Sequence, residues 1–433
     1  MNPMTRQVRQ VLVLAAACAF ALPAGAQTIA ITGGKVYPVS GPAIENGTVL
    51  IRDGKIVAVG KDVAIPSDAQ KVDATGKWVT PGLVNSYTNL GFGDVGFSAG
   101  PRELRAKRGD GIASGFASWE GYNTQSVHIA STREGGVTSV LASPAGGLIS
   151  GQAAIVDLTG AIALPDVLVK APATMVSQID DNQSAEVGAK GELFGRLRDL
   201  IEDTKAYEHR KADYERAQTR DFVASRRDLE AMIPVVEGRE PLTIEAEQAS
   251  DIEGALSLAK EYGLKIVIAG GTEAWKVADK LAAAKVPVLA GAMNNIPLSF
   301  SMLGARQENL AMLRKAGVEV GIIGNAGGGD EELFNVRNVR FEAGNAVAYG
   351  MSWDDALRGI TLGPAEIYGV SDKIGSLRPG REANVVIWSG DPFEFSTRAE
   401  AVFIRGKKLD APSRQDMLEN RYKTLPPNYG SPE

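Results

Sequence analysis

The sequence predicts an α/β protein: a (β/α)8 TIM barrel with a small composite β-sandwich formed from both chain ends. Three observations carry this expectation. From residue 137 to residue 323, short apolar runs alternate with segments whose apolar residues recur at helical spacing, the pattern of a parallel sheet with crossover helices. The number of such units, in a chain of 433 residues, favours a closed barrel over an open sheet. Alternating segments punctuated by glycine turns occur near the start and again near the end, so the barrel reads as an insertion in a small β domain.

Residues 1–26 read as a secretory signal peptide. Arg6 and Arg9 precede the apolar run "VLVLAAACAFALPAGA", which closes on Ala24-Gly25-Ala26, so cleavage is expected before Gln27. A membrane anchor and lipoprotein processing at Cys18 are the alternatives. Cys18 is the only cysteine, so the mature chain has no disulfide and no thiol chemistry. The expected location is periplasmic or secreted.

Residues 27–78 and 375–410 are assigned to the β-sandwich. "NGTVLIRDGKIVAVG" carries the hairpin signals Asn46-Gly47 and Asp53-Gly54, and "ANVVIWSGDP" and "AVFIRGKKL" supply the returning strands. Residues 79–374 are assigned to the barrel. Its candidate strands are 137–141, 242–246, 265–268, 286–289 and 318–323, with helical patterns at 252–262, 273–284 and 307–316. The charged stretch 192–230 reads as one or two solvated helices with a surface or subunit-contact role. Residues 411–433 read as an extended tail.

Composition is that of an ordinary globular chain, with 44% apolar and 23% charged residues. A net charge of −6 and the lack of a basic cluster exclude nucleic-acid and anionic-membrane binding as primary roles.

The stretch "WVTPGLVNSYTNLG" reads as an apolar strand ending in polar residues. Strand alternation sets Asn85, Tyr87 and Asn89 on one face and Ser86 and Thr88 on the other. A second constellation is "GNAGGGDEELFNVRNVR", where glycines permit close approach to a ligand and Arg337 and Arg340 offer partners for a carboxylate. The loop "GGLISGQ", residues 146–152, is similar, and neither has the lysine of a phosphate-binding loop.

Four stretches match one family in order. "VTPGLVNSYTN" matches a first barrel strand usually written PGLIDxHxH, and "REGGVTSVLASP" matches a GGVTTV strand. "FEAGNAVAYGMSWDDALRGITLGPAEIYGV" matches the last helices, and "IGSLRPGREANVVIWSGDPF" matches closing strands usually written IGSLxPGKxADLVVW. On these stretches the chain resembles the amidohydrolase superfamily, in its imidazolonepropionase-like branch. The resemblance implies the barrel and composite sandwich, and hydrolysis of C–N bonds by water activated on one or two divalent metals. It implies ligands at strand ends: two histidines after strand one, a carboxylated lysine or glutamate after strand four, and histidines after strands five and six. An aspartate after strand eight handles the proton.

Carried over residue by residue, the pattern is altered. The chain has two histidines, His128 and His209, both expected on helix surfaces. Tyr87 and Asn89 stand at the strand-one histidines and Asn85 at the preceding aspartate. Glu245 stands at the strand-five histidine, Ala269 and Gly270 at the strand-six end, Asn325 at the strand-eight aspartate, and Lys170 near strand four. Neutral amides and a phenol are poor zinc ligands, and an amide is no general base near neutral pH. Asn325 and Glu245 are therefore the family-equivalent catalytic positions, and Asn85, Tyr87, Asn89, Arg337 and Arg340 the candidate ligand-binding residues. No metal ligand is assigned, and no cofactor is expected where the family would bind zinc or another divalent metal.

Three roles follow. One is a non-metallohydrolase that binds a small molecule or supports an active relative, as a homo-oligomer or hetero-oligomer. Another is a hydrolase with a carboxylate-based or metal-free site, working through Glu245, Glu247, Asp330 and a weakly held metal. The third is a structural periplasmic protein. No nucleic-acid partner is expected, and no membrane after signal cleavage.

Overall fold

The computed structural model describes residues 28–94, 103–107, 109–180, 188–293, 297, 299–324, 331–409, 412 and 414–423. The expected signal peptide, Asn325, Asp330 and the end of the tail lie outside them. Among the described residues no helix is long and apolar enough to cross a membrane.

Strands are labelled in chain order. The terminal domain takes β1 (Thr28–Val36), β2 (Ile44–Arg52), β3 (Lys55–Gly60), β4 (Gln70–Asp73) and β5 (Trp78–Pro81). The barrel takes β6 (Leu83–Thr88), β7 (Val137–Ala142), β8 (Ile149–Asp157), β9 (Leu168–Gln178), β10 (Leu242–Ala246), β11 (Ile266–Gly270), β12 (Val288–Ala290) and β13 (Val320–Ile322). The chain returns to the terminal domain with β14 (Val385–Trp388), β15 (Ala399–Ile404) and β16 (Lys407–Lys408).

The terminal strands form one sheet in the order β16-β15-β14-β5-β1-β2-β3, with β4 also paired to β1. Its two-residue turn at Asp53-Gly54 uses positive φ at both positions, 51° and 76°, as a twist-matched hairpin requires. The inner face packs Ile29, Ile31, Val49, Ile51 and Ile56 from the first end against Val385, Ile387 and Phe403 from the second. Strand β5 pairs with β14 from Trp78 to Pro81, so this domain takes Val79, Thr80 and Pro81, which the sequence assigns to the barrel.

The second sheet also has eight strands, in the order β13-β12-β11-β10-β9-β8-β7-β6. Its ends meet: a side chain at Gly321 on β13 would come within 2.9 Å of Ser86 Oγ on β6. The sheet is thus a nearly closed barrel, and Val84, Tyr87, Leu141, Ile155, Val176, Val267, Leu289 and Tyr368 fill one interior cluster. It departs from the strict (β/α)8 expectation at one strand. β8 runs antiparallel to both neighbours, Ser139 pairing with Asp157 and Ile149 with Ser177. No crossover helix separates β7, β8 and β9. Their links carry turn signals and one short 3-10 turn at Leu164–Asp166, lengths that suit antiparallel neighbours. "GGLISGQ" is accordingly the entry to β8 rather than a free loop.

The charged stretch is not solvated all round. Its helix Lys190–His209 buries Leu193, Leu197, Leu200, Ile201 and Tyr207, an i, i+4, i+7, i+8 stripe. That stripe packs against the helix Arg226–Val236, which buries Leu229, Met232, Val235 and Val236. The expected extended tail contains a helix, Arg414–Tyr422.

Candidate active site at the barrel mouth

Strand β10 ends at the barrel's functional face and carries Glu245, with Glu247 two residues on. Both are almost fully buried, at 4% and 7% exposure. Tyr87 Oη donates to Glu245 Oε2 at 2.9 Å, and Gln178 Nε2 donates to the same oxygen at 2.8 Å. Gln178 is itself oriented by the backbone: Gly146 N donates to its Oε1 at 2.7 Å, which turns its NH2 toward Glu245. Residue 146 has φ of +83°, a conformation that glycine adopts without strain. Glu247 Oε2 accepts from Thr272 N at 3.0 Å and from Thr272 Oγ1. Its carboxyl lies over Gly270, where any side chain would strike it.

Burial pushes the Glu245 carboxyl above its ordinary range. The Gln178 and Tyr87 donors oppose the shift, and the nearby Asp180 charge adds to it. Burial also pushes Glu247 up to about 7, against the Thr272 donors and with help from Glu245 and Asp180. The mouth therefore holds two acids, at least one poised to keep a proton near neutral pH.

Of the candidate ligand-binding residues, only Tyr87 reaches this pair. Strand alternation does not hold Asn85, Tyr87 and Asn89 on one face, because the pairing of β6 with β7 shifts register between Asn85 and Thr88, and such an irregularity re-aims side chains. Asn85 Nδ2 points to Val336 O at 3.3 Å, and Asn89 Nδ2 to Ser143 O at 2.9 Å. Both amides close buried backbone.

The two arginines have other partners. Arg340 is 9% exposed, and its guanidinium donates to the carbonyls of Pro392 (2.7 Å), Glu394 (3.3 Å) and Thr397 (3.0 Å). It secures the loop after β14, so its fork is committed to backbone rather than to a ligand. Arg337 reaches Gln415 at 3.4 Å, beside the tail helix.

Lys170 lies at the start of β9 and Gln178 at its end, about 26 Å apart along an extended strand. Lys170 Nζ donates to Tyr368 O at 2.8 Å, at the face opposite the mouth. His128 pairs with Asp94 O at 2.9 Å and lies 4.5 Å from the Phe334 ring. His209 is exposed at its helix end. Sequence reasoning missed Gln178 and Thr272; each is a common polar residue at a strand end, and only the fold reveals its partner.

The amidohydrolase family model matches residues 78–409, well over half of the chain, so the chain belongs to the amidohydrolase family. The family resemblance is to hydrolases acting on C–N bonds. An imidazolonepropionase of Mesorhizobium japonicum is 24% identical over 369 residues, covering 80% of this chain and 87% of that one. A 5-methylthioadenosine/S-adenosylhomocysteine deaminase of Symbiobacterium thermophilum is 26% identical over 401 residues, covering 83% and 85%. Among solved structures, an amidohydrolase of Thermotoga maritima superposes with a TM-score of 0.80 at 28% identity, covering 89% of this chain and all of that one (100%).

The residues here do not fit the family's divalent metal. Such a site normally takes three strong protein ligands and keeps an open position. Glu245 and Glu247 are the carboxylates at the mouth, but Oε2 of each already accepts two hydrogen bonds, and both nearby asparagine amides are turned to carbonyls. Among the described residues, no group of three or more His, Cys, Asp or Glu is disposed to hold a metal ion.

Proposed function

We propose that this is an exported amidohydrolase-family protein in which a hydrogen-bonded, proton-holding carboxyl pair has replaced the metal site. Its barrel mouth binds a small ligand and does not perform metallohydrolysis. The observation that carries this reading is the double donation to Glu245 Oε2 by Tyr87 and Gln178. A carboxylate in a metal site turns an oxygen to the ion; here Oε2 is turned to a phenol and an amide instead. Export rests on the apolar run and Ala24-Gly25-Ala26. Support of an active relative remains part of the same proposal, as a role open to a barrel without the metal.

A second reading has a specific observation behind it. Glu247, raised to about 7, is suited to hold or move a proton at neutral pH, which metal-free C–N hydrolysis would need. Both readings place the ligand at Glu245 and Glu247. Thermal shift of the mature chain with a panel of cyclic amides, ureas and amines tests them together: a stabilising compound whose effect disappears in Glu245→Gln supports ligand binding. Turnover of that compound in the presence of chelator selects the second reading. No shift across the panel, with chelator-sensitive hydrolysis of any member, would refute both.

A further inference from the structure

A groove of about 780 Å³ lies away from the barrel mouth, between the helix Val127–Glu134, the link after β8, strand β16 and the tail helix. Its cationic walls are Arg133, Lys407, Lys408 and Arg414, and its apolar floor includes Ile129 and Met417. Of the described residues that line it, none is Asp or Glu, in a chain whose net charge is −6. Four cations thus line this groove in an acidic protein, with Glu134 and Asp416 on the two helices beside it. Arg133 is set in place by its bond to Leu158 O at 3.2 Å.

The rim is apolar and uncovered. Ile162 is 80% exposed, and its carbonyl is tied to Thr124 Oγ1 at 2.9 Å at the groove's edge. The tail helix buries none of its nine residues and leaves Met417, Leu418 and Tyr422 open to solvent. A helix shorter than about 12 residues is marginal without packing, and among the described residues this one packs chiefly on the Val127–Glu134 helix.

We propose that this groove is a docking site for an extended acidic segment of another protein, carrying apolar side chains that seat against Met417 and Ile162. Charge complementarity selects the acidic chemistry, and the exposed apolar rim selects a peptide over a simple anion. The site is independent of the barrel mouth and of its function.

The test uses the mature full-length chain and a fluorescein-labelled peptide of alternating Glu and Leu, with a Lys–Leu peptide as control, read by fluorescence anisotropy. The acidic peptide should bind, weaken as salt rises, and lose roughly 10- to 100-fold in affinity in the triple variant Lys407→Glu/Lys408→Glu/Arg414→Glu. These side chains are exposed, and circular dichroism checks that the variant is folded. The neutral triple variant to Gln should show a smaller loss of the same sign. Equal binding of both peptides, or undiminished binding by the charge-reversed variant, overturns the proposal. So does light scattering in which this face serves only to pair two copies of the chain, or binding confined to phosphatidylglycerol vesicles.

Discussion

Glu247→Gln should stabilise the protein at alkaline pH and leave it nearly unchanged in acid. In the folded chain the Glu247 carboxyl is raised from 4.5 to about 7, so between those values the native state keeps a proton that the unfolded chain has released. The contribution to stability is full below about pH 4.5, falls as pH rises through that window, and levels off above about pH 7. At ~1.4 kcal/mol per pH unit, the ionised carboxyl costs on the order of 3 kcal/mol in alkaline solution. Glutamine keeps the oxygen that accepts from Thr272 and carries no charge to desolvate, so the variant escapes this cost. Urea unfolding at about pH 5 and about pH 9, extrapolated to water, should show the two proteins within about 1 kcal/mol in acid and the variant ahead by ~2–3 kcal/mol in base. An equal offset at both pH values would show that Glu247 has an ordinary affinity for its proton. A loss of stability in base would show that the ionised form is the one the barrel mouth favours.

Other consequences are equally direct. Leu200→Ala, in the charged stretch, should cost about 2–5 kcal/mol of unfolding free energy, because Leu200 is fully buried on the inner stripe of the helix Lys190–His209; a change within about 0.5 kcal/mol would return the segment to the solvated class. Arg340→Ala should destabilise the protein by on the order of 2–4 kcal/mol by orphaning three carbonyls, while leaving ligand-induced thermal shifts intact; loss of the ligand shift at unchanged stability would place Arg340 in the site after all. Intact-mass spectrometry of exported protein should find Gln27 as its first residue, and retention of residues 1–26 or a lipid on Cys18 would refute the export reading.

Much of the fold was legible because local pattern and global structure agree. "LTIEA" is a short run with adjacent β-branched Thr243 and Ile244, and it becomes the buried β10 over the expected residues. The helix pattern at 252–262 lies within the helix Ala249–Tyr262, which ends at Gly263 with φ of +71°. What stayed hidden depends on pairing. Strand direction is not written in a strand's own residues, and the antiparallel β8 is missing from the expected strands, its entry reading as the loop "GGLISGQ". The buried stripe of Leu193, Leu197, Leu200 and Ile201 is masked by the charges between its members. At the site, Glu245 could be picked out through the family resemblance, which sets a ligand at the end of that strand. Its partners could not, since Gln178 lies 67 positions away and Tyr87 158.

Metal content tests the central claim most directly. The mature protein, dialysed against trace zinc, manganese or iron and then against buffer, should carry far less than one metal per chain by elemental analysis. On the proposed reading the replaced ligands should weaken binding by many powers of ten, since even outer-shell changes cost roughly 10- to 100-fold. The double variant Tyr87→His/Asn89→His should not restore metal-dependent activity, because Ala269 and Gly270 still end β11 without a ligand. One tightly held ion per chain, with amide hydrolysis that a chelator abolishes, would contradict the account.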